Sequence, residues 1–111
     1  MDINEKIKAQ LNEFPLIVYI KGTPDFPQCG FSAKLCGILK ASDKRFAFVN
    51  ILEDNELRDG LKIYSNWPTF PQLYVNGELI GGSDIVEQMY ESGQLESLLE
   101  TVKRISGLIR G

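Results

Sequence analysis

The chain contains no histidine, so imidazole ligation of a metal is excluded at the outset. It has only two cysteines, Cys29 and Cys36. If both lie on one helix, the rise between them is roughly 10 Å, whereas bridged Cα atoms lie within about 7 Å. An internal disulfide is therefore disfavoured, and a reducing, cytoplasmic setting suits two free thiols. No apolar run approaches the length of about 18 residues that a membrane-spanning helix needs. The N-terminus, Met1-Asp2-Ile3-Asn4-Glu5-Lys6, lacks a basic segment followed by a long apolar stretch, so no secretory signal is expected. Nor is there an excess of positive charge. Twelve Lys and Arg against 15 Asp and Glu give a net charge of −3 and a pI near 4.9, which disfavours a phosphate backbone as partner. Repeats and low-complexity tracts are absent, and 111 residues suit a single domain over 1–111.

What is present alternates between helical and extended signals. Asp2 and Glu5 form a capping-box pattern ahead of a helix with Ile3, Ile7 and Leu11 on one face, closed by Pro15. Leu16-Ile17-Val18-Tyr19-Ile20 is continuously apolar, as expected of a central strand covered on both faces. A loop containing Gly22, Pro24 and Pro27 leads to a helix from about Cys29 to Lys40, with Phe31, Leu35, Cys36 and Leu39 as its apolar residues. Phe46 to Asn50 reads as a second strand, parallel to the first by the right-handed crossover rule. A short helix from about Asn55 to Tyr64 follows, capped by Asp54, with Leu57, Leu61 and Tyr64 on one face and Gly60 weakening it. Asn76-Gly77 between Gln72–Val75 and Glu78–Ile80 marks an antiparallel hairpin. Beyond Gly81-Gly82 a helix starts at Ser83 or Asp84, and Gly93 divides it from a last helix carrying Leu95, Leu98, Leu99 and Val102. This order gives an α/β protein with a four-stranded mixed sheet flanked by helices on both faces, a thioredoxin fold.

Cys29 stands in the run Pro27-Gln28-Cys29-Gly30-Phe31-Ser32, and a two-cysteine redox motif would carry its second thiol at Ser32. The missing partner means that Cys29 must recruit a second sulfur from outside the chain. Its place at a helix start, facing free N–H groups and the positive end of the dipole, favours thiolate. Three segments together, Lys21-Gly22-Thr23 through Cys29-Gly30-Phe31-Ser32, Trp67-Pro68-Thr69-Phe70-Pro71-Gln72, and Gly81-Gly82-Ser83-Asp84, resemble the monothiol glutaredoxins of the CGFS type. The likeness spans about Pro15 to Leu99.

The resemblance implies that Cys29 ligates a [2Fe-2S] cluster shared by two subunits, with a glutathione thiolate from each side. One cysteine and one glutathione, doubled by symmetry, supply four sulfur ligands, and the absence of histidine excludes a Rieske-type set. By the same resemblance Lys21 and Arg58 would grip the glycyl carboxylate of glutathione, with Lys62 as a further cation. The residue before a cis Pro71, Phe70, would pair with the tripeptide through its backbone, while Ser83 and Asp84 would hold its γ-glutamyl end. Each has a local alternative. Lys21 suits a solvated surface, Arg58 could pair with Asp54 one turn back, Trp67-Pro68 could be plain packing, and Asp84 with Glu87 fits a helix cap. Many relatives carry cysteine in place of Ser83, so a regulatory disulfide from that position to Cys29 is discounted.

The function implied is a homodimeric iron-sulfur carrier that passes a cluster to client apoproteins, with BolA-like proteins as possible partners. The enzyme alternative is reduction of protein-glutathione mixed disulfides through Cys29 alone, although the long loop from Gly22 to Gln28 disfavours it. A thioredoxin-fold interaction module with an unused thiol is a third reading.

Overall fold

Five consecutive apolar residues, Leu16–Ile20, form strand β1, and every one of them is buried in the computed structural model, which describes residues 2–102. A strand turns alternate side chains to opposite faces, so this run feeds two cores at once. Leu16, Val18 and Ile20 face helix α2 (Gly30–Ala41), α4 (Ser83–Ser92) and α5 (Gln94–Leu99), packing with Leu35, Leu39, Val86, Leu95 and Leu99. Ile17 and Tyr19 face the other way, toward α1 (Ile3–Glu13) and α3 (Asn55–Ser65), and pack with Ile7, Leu11, Leu57 and Leu61. Cys36 lies in the first core at 1% exposure, and its thiol does structural duty there.

The sheet has the order β2-β1-β3-β4, with β2 at Ala47–Asn50, β3 at Gln72–Val75 and β4 at Glu78–Gly81. β1 runs parallel to β2 and antiparallel to β3, which pairs antiparallel with β4. Asn76 and Gly77 both have positive φ, the condition for the tight turn that joins β3 to β4. This is the expected four-stranded mixed sheet with helices on both faces, the thioredoxin fold.

Local signals set the helix ends. Asp2 and Glu5 form the reciprocal capping box of α1, and Asp54 caps α3 through the Leu57 N–H. Gly60 does not break α3, because it is the point of contact with α1: a β-carbon there would come within 2.7 Å of Ile3 Cγ1. Tyr64, expected on the buried face with Leu57 and Leu61, is instead exposed. A short 3-10 helix, Ile51–Glu53, intervenes between β2 and α3. Among the described residues no helix is long and apolar enough to cross a membrane.

Candidate functional site

The β1 strand ends at Ile20, and the chain from Lys21 to Gln28 loops out before α2 begins. Gly22 permits this turn, with φ at +95° and the Phe26 carbonyl only 2.6 Å from where a β-carbon would stand. The Gln28 N–H donates back to the Lys21 carbonyl at 2.8 Å, closing the loop and delivering Cys29 to the head of α2. Cys29 is the N-cap of that helix rather than its first residue, and its sulfur accepts the Ser32 N–H at 3.3 Å. The Ser32 hydroxyl lies 3.3 Å from the same sulfur and also accepts the Lys21 N–H at 3.1 Å. Burial pushes the Cys29 thiol up, but the Ser32 hydroxyl, the Ser32 and Phe31 N–H groups and the Lys21 ammonium outweigh it. The thiol therefore ionises below its ordinary range.

Next to this thiol lies an open cleft of about 590 Å³ whose lining gathers Lys21, Arg58, Phe70, Ser83 and Asp84 from four separate stretches of chain. Cys29 itself is not part of the lining, and Phe31, two residues on, is. Lys62 joins the two other cations. Among the described residues neither Lys21 nor Lys62 forms an ion pair, and Arg58 makes only a 3.4 Å contact from Nε to Asp59. The alternative considered for Arg58, a pair with Asp54, does not form. Asp54 is taken by Lys6 of α1 at 2.7 Å and by its cap on α3, which leaves Arg58 to face the cleft.

The opposite end of the cleft is the start of α4. Gly82 is the N-cap, with no side-chain cap hydrogen bond, so the capping role considered for Asp84 is not filled. Asp84 is exposed in the first turn and lines the cleft, while Ser83 is buried at its rim. The absence of a side chain at Gly82 lets α4 begin 3.3 Å, measured from an ideal β-carbon, from the Pro71 carbonyl. Between the two ends runs the segment Trp67 to Pro71, with a cis bond between Phe70 and Pro71. The Phe70 side chain is buried in the second core, and Phe70 is among the residues that line the cleft.

Sequence reasoning missed the apolar rim. Phe31, grouped with Leu35 and Leu39 as an apolar residue of its helix, is 59% exposed and lines the cleft with Leu52 and Ile85. Trp67 and Pro68 line it as well, and the buried Trp67 Nε1 has no hydrogen-bond partner. Of these, Phe31, Trp67 and Pro68 lay inside motifs that could have pointed to them. Leu52 belongs to the unanticipated 3-10 turn, and Ile85 follows the last motif by one residue.

Electrostatically the cleft has three cations toward α3 and β1 and a carboxylate beside a helix N-terminus, which suits a small zwitterionic ligand with more than one carboxylate. Among the described residues no group of three or more Cys, Asp or Glu is placed to hold a metal ion.

Comparison with known proteins agrees with this arrangement. The family described as Glutaredoxin matches residues 16–80. "Glutaredoxin 4" of Escherichia coli K12 is 51% identical over 96 residues, covering 86% of this chain and 84% of that protein. "Monothiol glutaredoxin-4" of Schizosaccharomyces pombe is 47% identical over 98 residues, 88% of this chain, but the chain spans only 40% of that longer protein. The solution structure of reduced poplar apo GrxS14 superposes with a TM-score of 0.78 at 47% identity, covering 88% of this chain and 90% of that one. A buckwheat glutaredoxin-glutathione complex shares the fold at 21% identity, with a TM-score of 0.78 over 88% of this chain and 87% of that one.

Proposed function

The chain belongs to the glutaredoxin family, and from that membership we propose that it is a monothiol carrier that binds a glutathione-ligated [2Fe-2S] cluster between two copies and hands it to client apoproteins. The observation that carries this reading is a lone, partly accessible thiol, ionised below its ordinary range, beside a cleft charged for glutathione.

The cleft suits glutathione group by group. Lys21 and Arg58 supply cations for the glycyl carboxylate, and Arg58 can meet it as a fork. Phe70 offers backbone to the middle of the tripeptide. Ser83, at the open N-terminus of α4, suits the γ-glutamyl carboxylate, and Asp84 suits its ammonium. The ligand then lies against the Cys29 end of the cleft, where its own thiol and Cys29 can serve one cargo.

The donor set fits the cargo only in part, and in an informative way. Such a cluster takes four sulfur ligands, of which this chain offers one, since Cys36 is sealed in the core. The rest must come from glutathione and a second copy. Because half of the ligands are small molecules, the cargo can be released, as a carrier requires.

Anaerobic reconstitution with iron, sulfide and glutathione tests the reading. A coloured dimer is expected, lost in Cys29→Ser, kept in Cys36→Ser, and lost when glutathione is omitted. A colourless monomer overturns it. The lowered pKa of the Cys29 thiol also favours a second reading, reduction of protein-glutathione mixed disulfides by Cys29 alone. Rapid glutathione-dependent turnover without cluster formation would select that one.

A further inference from the structure

The wall of the cleft between its two charged ends is Trp67 to Pro71, and this stretch belongs to no helix or strand. Two of its five residues are prolines, which have no N–H, so it cannot join the sheet as a strand, and its Trp67 N–H turns back to the Lys62 carbonyl and the Ser65 hydroxyl at the end of α3. Something else must satisfy its carbonyls. The structure shows what does: Gln72, the first residue of β3, fully buried at 0% exposure. Its Nε2 donates to the Trp67 carbonyl at 3.1 Å and to the Thr69 carbonyl at 3.2 Å. Its Oε1 accepts the Tyr74 hydroxyl at 3.0 Å.

We propose that Gln72 is a positioning residue for ligand binding, its side-chain amide setting the path of the Trp67–Pro71 wall from beneath. The consequence for glutathione rests on the function proposed above. Each group of the amide has one task. The Trp67 and Thr69 carbonyls can only accept, so they hold the NH₂ end toward the wall, and the Tyr74 hydroxyl, turned to donate, satisfies Oε1 at the other end. A buried amide satisfied on both ends holds one orientation, and the two carbonyls it grips are two residues apart, so the backbone between them is fixed at both ends. Phe70, which lines the cleft, follows directly on the second of these anchors. The clamp touches neither Cys29 nor the Ser32 and Lys21 groups that stabilise its thiolate.

That separation makes the test specific. Trp67 is the only tryptophan in the chain, and it both lines the cleft and takes the Gln72 hydrogen bond, so its fluorescence reports on the wall. Gln72→Met keeps the length and burial of the side chain and removes both donors. The full chain and this variant are titrated with reduced glutathione. Their Trp67 emission and amide exchange over 67–73 are recorded without ligand, and the pH midpoint of Cys29 alkylation is measured.

Expected for Gln72→Met are a glutathione Kd at least fivefold weaker, a shifted Trp67 emission, faster exchange of the wall, and an unchanged Cys29 midpoint. Tyr74→Phe, which removes only the hydroxyl, moves the same observables less and serves if Gln72→Met does not fold. A merely structural role lowers the melting temperature and leaves the Kd of the folded protein alone. An unchanged Kd with unchanged Trp67 emission overturns the proposal. If the wild-type chain binds no glutathione, the function proposed above falls, and the ligand-free emission and exchange still decide the role of Gln72.

Discussion

The hydroxyl oxygen of Ser32 lies 3.3 Å from the sulfur of Cys29 and 3.1 Å from the backbone nitrogen of Lys21. Ser32 is fully buried, so it is built into the site rather than left over from a lost second cysteine. As its hydroxyl accepts from Lys21, it has its proton free to donate to a thiolate, and the serine stabilises the charged form that a cysteine in its place would compete for.

Ser32→Ala is accordingly expected to raise the pH midpoint of Cys29 alkylation and to slow the reaction at neutral pH by about threefold to tenfold, the worth of one hydrogen bond of about 1 kcal/mol. The Ser32 N–H remains in that variant, so the loss is partial. Iodoacetamide kinetics against pH give the answer, with Cys36 too buried to interfere. An unchanged midpoint would mean that the hydroxyl leaves the thiolate alone.

Gly60→Ala offers a test of the packing between α1 and α3. Helix propensity alone predicts a gain of about 1 kcal/mol. The added methyl meets Ile3 Cγ1 at 2.7 Å, and the expected net effect is a loss of roughly 1 to 3 kcal/mol. Adding Ile3→Ala should recover part of that loss, a coupling that denaturant melts of the two single variants and the double variant would reveal.

The fold was legible because its strongest signals are local and agree with each other. The apolar run of β1, the capping box at Asp2 and Glu5, and Asn76-Gly77 each specify one conformation over a few residues. The site was legible only where motifs carried it. Asp-x-x-Glu at Asp84 reads first as a cap, and the placement of Gly82 as the actual N-cap removes that reading. A pair of Arg58 with Asp54 stood as an alternative because spacing sees only one helix, whereas the partner of Asp54 is Lys6, 48 residues away. Leu52 entered the cleft through a three-residue turn too short to have a period.

That Lys6 contact carries a pH signature. The Lys6 ammonium and the Leu57 N–H hold the Asp54 carboxyl below its usual range. A carboxylate depressed on folding contributes stability that is fully present above its unfolded pKa of about 3.9 and is lost as pH falls through the folded value. Asp54→Asn keeps the cap acceptor but not the charge. The stability difference between wild type and this variant is therefore expected to be constant from neutral pH down to about pH 5 and to shrink below pH 4. In a Lys6→Met background most of the difference should vanish at every pH.

The charge layout of the cleft predicts which end of glutathione each residue feels. Lys21→Ala and Arg58→Ala should each weaken binding by about tenfold or more, as charge-assisted hydrogen bonds worth roughly 1.5 to 3 kcal/mol are lost. Salt should weaken the wild type more than either variant. The assignment is sharper when ligand and protein are altered together. With the glycyl carboxylate amidated, Lys21→Ala and Arg58→Ala have little left to lose, while Asp84→Asn should cost as much as it does with glutathione itself. With the γ-glutamyl ammonium removed the pattern reverses, and Asp84→Asn becomes silent. Calorimetric titration of the three variants against the three ligands measures these couplings. If Lys21 and Arg58 stay fully sensitive to substitution when the glycyl carboxylate is gone, the tripeptide lies in the cleft the other way round. The anchoring cations would then have to be meeting its γ-glutamyl end.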